Sequence, residues 1–280
     1  MYDVCIIGRG PAGVSAAIYL ARAGKQTVVV SKDGGALEKA DVIENYYGFS
    51  TPVKASELAA AGVAQAKALG ASFVDDEVVA LEFASNGYNT VCRDGVIEAR
   101  AVIICCGAKR ETLRVKGLDR FEGAGVSYCV TCDGRFYRGR RVGLVGGGEY
   151  MLHELTELRA FTDDITVFTE GSDVACDAET VKDRITAAEG TEKLEAVVAG
   201  GKRYPLDGLF LAIGTAGAAD FARTLGVITE GDTIVTDGCA TNLPGLFAAG
   251  DCTRGLKQIA KAVSDGANAA MAAIAYLRGN

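Results

Sequence analysis

The sequence predicts an α/β protein of two domains, each a mainly parallel sheet between helices in three layers. Three observations predict it: two separate stretches read as strand, glycine turn, helix and strand, a strand-rich stretch lies between them, and a further short strand introduces the last helix. The chain has 280 residues, 49% hydrophobic and 23% charged, and a mean hydropathy of +0.18. That is enough to bury the core of one large or two ordinary domains, and it excludes disorder and collagen-like repeats.

The first unit opens the chain as VCIIG, GRGPAG, VSAAIYLARAG and TVVV. Gly8, Gly10 and Gly13 are spaced G-x-G-x-x-G, with Pro11 and Ala12 between the last two. This spacing lets backbone approach a pyrophosphate, whose charge rests on the free N–H groups of a helix N-terminus. The acid expected at the end of the second strand, for ribose hydroxyls, is absent, because VVV is followed by Ser31 and Lys32. Next, VVALEF, VCRDG and AVIICCGA supply strands that close the first sheet.

A second copy begins at Arg141 with VGLVGGGEYM, the helix LHELTELRAF and the strand ITVF. After it, KLEAVVAGGKRYPLDGLFLAIG holds a glycine pair of hairpin type, and GLFAAGD leads into the helix IAKAVSDGANAAMAAIAYL. Two such units give two Rossmann-like domains. The chain leaves the first near Ala108 and returns near Ile213, which sets one domain at 1–110 with 212–280 and an inserted one at 111–211. With only 4 prolines, no linker stands out as a proline-rich tract.

A net charge of -7 and a pI near 5.0 leave no footprint for nucleic acid and no basic face for a membrane. No run is long enough for a transmembrane helix, and MYDVCIIGRG lacks the basic start of a signal peptide, so a cytoplasmic protein is expected. In the cytosol an odd count of 9 cysteines argues against a disulfide framework, and Cys5, Cys92, Cys105 and Cys106, inside apolar runs, read as reduced core residues. Cys129 and Cys132 in CVTCDG are different, since this spacing suits a metal, a structural staple or electron transfer.

Six segments carry a resemblance: GRGPAG at the start, ENYYGF at 44–49, CCGAKR at 105–110, GVSYCVTCDG at 125–134, GGG at 146–148 and LFAAGDCTRGLKQ at 246–258. In this order they resemble the low-molecular-weight bacterial thioredoxin reductases over essentially the whole chain. The resemblance implies FAD as cofactor and a redox-active disulfide facing it. It gives Cys132 the place against the flavin ring and Cys129 the attack on the protein substrate's disulfide. Asp133 becomes the acid that moves protons, although a turn residue before Gly134 is the plainer reading. The spacing suits redox work, because C-x-x-C brings two sulfurs together and lowers one thiol pKa. A structural zinc site would need a second ligand pair, and His153 is the single histidine, so no metal site is expected.

For the flavin, the resemblance assigns Gly8, Gly10, Pro11, Ala12 and Gly13 to the pyrophosphate loop, and Leu37, Asn45, Val78 and Gly107 to cofactor contacts. Tyr47 stands where the family usually has proline. Asp251 takes the ribityl chain, or, read structurally, caps a helix. Lys257, Gln258 and Ile259 lie over the pyrimidine end, where a cation favours the reduced ring.

The second glycine unit departs from the family. Met151 replaces the final small residue, and Thr169, Glu170 and Gly171 follow ITVF where cations ordinarily bind a 2′-phosphate. Glu170 would repel that phosphate, and GSDVACDAETVKDR is too short for the usual helix. In this the chain is most similar to the ferredoxin-dependent flavin thioredoxin reductases, which keep C-x-x-C and FAD but lack the NADPH motifs. Ferredoxin is therefore the expected donor and a thioredoxin-like protein the expected acceptor. An NADH- or NADPH-dependent reductase is the alternative; for NADH, Glu170 stands where an acid binds a ribose 2′-hydroxyl. A positive face for an acidic donor is available in RFYRGRR, with Lys109, Arg110, Arg114 and Lys116 upstream. The resemblance also implies a homodimer. A non-catalytic flavoprotein serving as a binding partner is the remaining rival, with no evident reason to keep C-V-T-C-D-G.

Overall fold

The computed structural model describes residues 1–38, 40–107, 113, 115–128, 130–214 and 217–279. It divides into two compact units, Met1–Lys109 with Gly217–Asn280, and Arg110–Ala216.

In the first unit, β1 (Tyr2–Ile7), α1 (Pro11–Arg22) and β2 (Thr27–Ser31) form the opening βαβ element. A short α2 (Gly35–Glu38), the two-residue strands β3 (Val42–Ile43) and β4 (Val53–Lys54), α3 (Ala55–Ala68) and β5 (Ser72–Asp75) follow. Then β6 (Val78–Ala84), β7 (Gly87–Cys92) and β8 (Gly95–Ile104) run as an antiparallel meander.

The second unit contains β9 (Val126–Ser127), α4 (Val130–Asp133), β10 (Val142–Val145), α5 (Glu149–Leu158) and β11 (Ile165–Phe168). It continues through β12 (Glu179–Val181), β13 (Ile185–Glu189), β14 (Ala196–Ala199), β15 (Lys202–Pro205) and β16 (Gly208–Leu211). The order β12-β11-β10-β16-β9 is parallel throughout, and β13-β14-β15 form a separate antiparallel sheet. The β14–β15 turn takes Gly200 and Gly201 at φ of 58° and 74°, the left-handed pair that a two-residue hairpin needs. Between the parallel strands β11 and β12 the chain passes without a helix. Ala212 still belongs to this unit, because its N–H donates to the Val145 carbonyl; the return therefore comes a few residues later than the expected 212.

Back in the first unit come α6 (Ala218–Leu225), the strands β17 (Thr229–Glu230) and β18 (Thr233–Ile234), β19 (Leu246–Ala248) and α7 (Ile259–Gly279). The sheet order is β5-β2-β1-β8-β7-β6, with β19 paired to β8, and β5, β2, β1, β8 and β19 are parallel. Its core joins Val4, Ile6 and Ile103 of the sheet to Ala16 and Leu20 of α1 and Ala269, Ala270 and Ala273 of α7. Small residues let the two helices meet closely: a Cβ on Gly266 would overlap the Ala12 carbonyl oxygen.

Candidate active and cofactor sites

The first glycine turn is shaped to admit an anion. Gly8, at φ 108°, leaves β1, and a Cβ on Gly13 would overlap the Gly8 carbonyl oxygen, so only glycine lets α1 start this close to the strand. Gly10 is the N-cap, Pro11 begins α1, Ala12 is buried, and neither a capping side chain nor an acid occupies the first turn. Its N–H groups and dipole are left for a phosphate.

The other expected cofactor residues of this unit follow the same carboxyl edge of the sheet. Val78 is buried at the start of β6, Gly107 follows β8 at φ 74°, and Leu37 is buried in α2. Asn45 Nδ2 donates to Gln258 Oε1 at 2.9 Å, joining two expected contacts that lie 213 positions apart. Ile259 is the first residue of α7.

Asp251 lies in a 3-10 turn, Gly250–Cys252, that carries no side-chain cap, so it is not the helix cap that its sequence context allows. The turn is held from elsewhere. Lys257 Nζ donates to the carbonyls of Asp251 and Thr253, Lys261 Nζ donates to the Gly250 carbonyl at 2.8 Å, and Asp265 Oδ2 accepts from the Gly250 N–H at 3.1 Å. Asp251 Oδ1 is buried with no hydrogen-bond partner among the described residues. A buried carboxylate oxygen left open in this way, beside a glycine cradle that a Cβ would fill, fits the hydroxyls and phosphates of FAD. Lys261 and Asp265 were not singled out from sequence; their trace there is an i,i+4 Lys–Asp pair just beyond the FAAGD segment.

In the second unit, Cys129 lies outside the described residues, and of Cys132 the structure describes the backbone, within α4. Asp133 closes that helix, half-buried, and Oδ2 accepts from Ser127 Oγ at 2.7 Å. From α5, buried Glu154 accepts the Val130 N–H at 3.2 Å and so anchors the start of α4. Burial pushes the Tyr137 hydroxyl up, the negative charge of Asp133 adds to this, and Arg140 opposes it. The other seven cysteines, Cys5, Cys92, Cys105, Cys106, Cys176, Cys239 and Cys252, are free thiols. Among the described residues no group of His, Cys, Asp and Glu is placed to hold a metal, and no helix is long and apolar enough to cross a membrane.

The second glycine turn contrasts with the first. Met151 is fully buried, 2.8 Å from where a Cβ of Gly146 would stand, and Ser172 Oγ would lie 2.6 Å from a Cβ on Gly147. Glu149 sits in the first turn of α5, where its charge opposes a phosphate. Glu170, at φ 53°, accepts the Ile185 N–H through Oε1 at 2.8 Å, so the acid once open to a ribose serves its own chain.

An FAD-type glycine turn and a C-x-x-C segment on one chain mark a flavoprotein disulfide oxidoreductase, here of the thioredoxin reductase type. The chain belongs to the pyridine nucleotide-disulphide oxidoreductase family, whose model matches residues 2–266. It is similar to the thioredoxin reductase of Aquifex aeolicus, 34% identical over 307 residues, covering 100% of this chain and 94% of that one. Among solved structures it is similar to the atypical thioredoxin reductase of Desulfovibrio vulgaris Hildenborough, with a TM-score of 0.94, 37% identity and coverage of 100% and 99%. It is also similar to the ferredoxin-flavin thioredoxin reductase of Clostridium acetobutylicum, with a TM-score of 0.72, 29% identity and coverage of 100% and 99%.

Proposed function

We propose that this enzyme takes electrons from reduced ferredoxin and passes them, through FAD and a Cys129–Cys132 disulfide, to a thioredoxin-like protein. The observation that carries the choice of donor is the second glycine turn, where Ser172 and Met151 pack against the glycines and Glu149 stands in the first turn of α5. The likeness to a ferredoxin-flavin enzyme supports it. So does the exposed arginine cluster Arg135, Arg138, Arg140 and Arg141, a face for an acidic partner.

In this reading the first unit is the FAD domain. Gly8, Gly10, Pro11, Ala12 and Gly13 hold the pyrophosphate, Asp251 the ribityl hydroxyls, and Leu37, Asn45, Val78, Gly107, Lys257, Gln258 and Ile259 the two ends. Bound FAD supplies the electron pair that reduces the disulfide. The Cys129 thiolate then attacks one sulfur of the substrate disulfide, forming a mixed disulfide and releasing the first substrate thiolate. The Cys132 thiolate attacks Cys129, which closes the enzyme disulfide and releases the second. Asp133, steadied by Ser127, gives and takes the accompanying protons. The protein works as a cytoplasmic homodimer, and sedimentation checks the dimer.

The test is reduction of a thioredoxin disulfide with reduced ferredoxin, NADH and NADPH supplied separately. Turnover is expected with ferredoxin alone, and Cys132→Ser should abolish it while leaving FAD bound. Turnover in that variant would overturn the assigned roles.

A further inference from the structure

The adenosine half of the cofactor site lacks the acid that ordinarily receives ribose hydroxyls, because β2 runs out into Ser31 and Lys32. Strand pairing brings an acid there from the link that follows β5. β2 and β5 are parallel with Ser31 beside Asp75, and the Asp76 N–H donates to the Ser31 carbonyl at 3.3 Å, which sets Glu77 at the carboxyl end of β2. Glu77 is 3% exposed. Its Oε2 accepts from Lys32 Nζ at 2.6 Å, while its Oε1 is buried with no partner among the described residues. A carboxylate is expensive to bury, and an unused acceptor adds to that cost unless a donor arrives.

Two other side-chain atoms on this edge share the condition: Arg9 Nε after β1 and Asp251 Oδ1 after β19. Arg9 also pairs with Asp75, linking the ends of β1 and β5 across the end of β2. The three open atoms follow the line that a dinucleotide takes along the carboxyl ends of parallel strands, with its pyrophosphate at the first glycine turn. Glu77 occupies the end of that line away from Asp251.

We propose that Glu77 receives the ribose hydroxyls of the adenosine half of FAD in place of the missing acid of β2, with Lys32 holding its other carboxylate oxygen in place. A ribose diol offers O–H donors, and Oε1 offers the free acceptor; Lys32 engages only the other oxygen. The inference rests on FAD being the cofactor.

The full chain, stripped of flavin, is titrated by flavin fluorescence with FAD, with two FAD analogues lacking the 2′- or the 3′-hydroxyl of the adenosine ribose, and with FMN. The wild-type protein should bind at least one analogue about tenfold or more weakly than FAD, the scale of a hydrogen bond to a charged acceptor. Glu77→Ala should bind FAD about as weakly as the wild type binds that analogue, and should no longer tell the two apart. FMN, which has no adenosine, should bind both proteins equally, showing that the variant's flavin end is intact. Glu77→Gln, which keeps the side-chain volume, is measured alongside and should narrow the discrimination. Equal binding of FAD and both analogues by the wild type overturns the proposal without any variant, and so does full discrimination in Glu77→Ala. Failure of the wild type to bind FAD at all would instead overturn the flavin assignment.

Discussion

Replacing Asp251 by Ala should have opposite effects on the flavin-free and flavin-loaded proteins. Without flavin, Oδ1 is buried and lacks a partner among the described residues, and the backbone of its turn is held by Lys257, Lys261 and Asp265 instead. An unpartnered buried acceptor costs about 1–3 kcal/mol. Removing it should leave the flavin-free protein unchanged or more stable by up to that amount. In the proposed reading the same oxygen accepts a hydrogen bond from a hydroxyl of bound flavin, and a hydrogen bond to a charged group contributes about 1.5–3 kcal/mol. Its loss should raise the FAD Kd by about 10- to 150-fold. Thermal unfolding of both forms and a fluorescence titration with FAD measure the two effects. A flavin-free variant destabilised by more than about 1 kcal/mol, or an unchanged FAD Kd, would refute the reasoning.

Three further outcomes are expected. Gly13→Ala should cost about 1–3 kcal/mol, because the new Cβ overlaps the Gly8 carbonyl oxygen and forces α1 away from β1; urea unfolding and flavin content check this. Glu170→Ala should destabilise the protein by about 1 kcal/mol through loss of the partly exposed bond to the Ile185 N–H, and should leave the rate of flavin reduction by NADH unchanged. Burial pushes the thiols of Cys5 and Cys252 from the ordinary value of 9.0 up to about 12. A pKa raised by folding adds stability that is complete below pH 9 and is lost as pH rises toward 12. Unfolding measured from pH 8 to 12 should show the decline, and alkylation at pH 8 followed by peptide mass spectrometry should find both cysteines unmodified in the native protein.

What was legible in the sequence was local. The G-x-G-x-x-G turn, the Gly200–Gly201 hairpin and the missing helix after ITVF each follow from a few adjacent residues, and the structure forms them as read. The parts of the site made by distant pairing were not legible. Lys32 and Glu77 are 45 positions apart and meet only because β5 lies against β2. Glu170 stands at the right distance from its glycines for a ribose acid, yet a left-handed backbone turns its carboxylate to Ile185. Ser172 closes on Gly147 through a loop with no sequence signature of its own.

The choice of donor is tested most directly by an anaerobic absorption spectrum of the flavin-loaded protein, recorded while NADPH, NADH and then reduced ferredoxin are added. Glu149 in the first turn of α5, beside glycines packed by Ser172 and Met151, predicts that both pyridine nucleotides leave the flavin oxidised and that ferredoxin bleaches it within seconds. Rapid bleaching by NADPH or NADH would contradict the account and return the enzyme to the pyridine-nucleotide type.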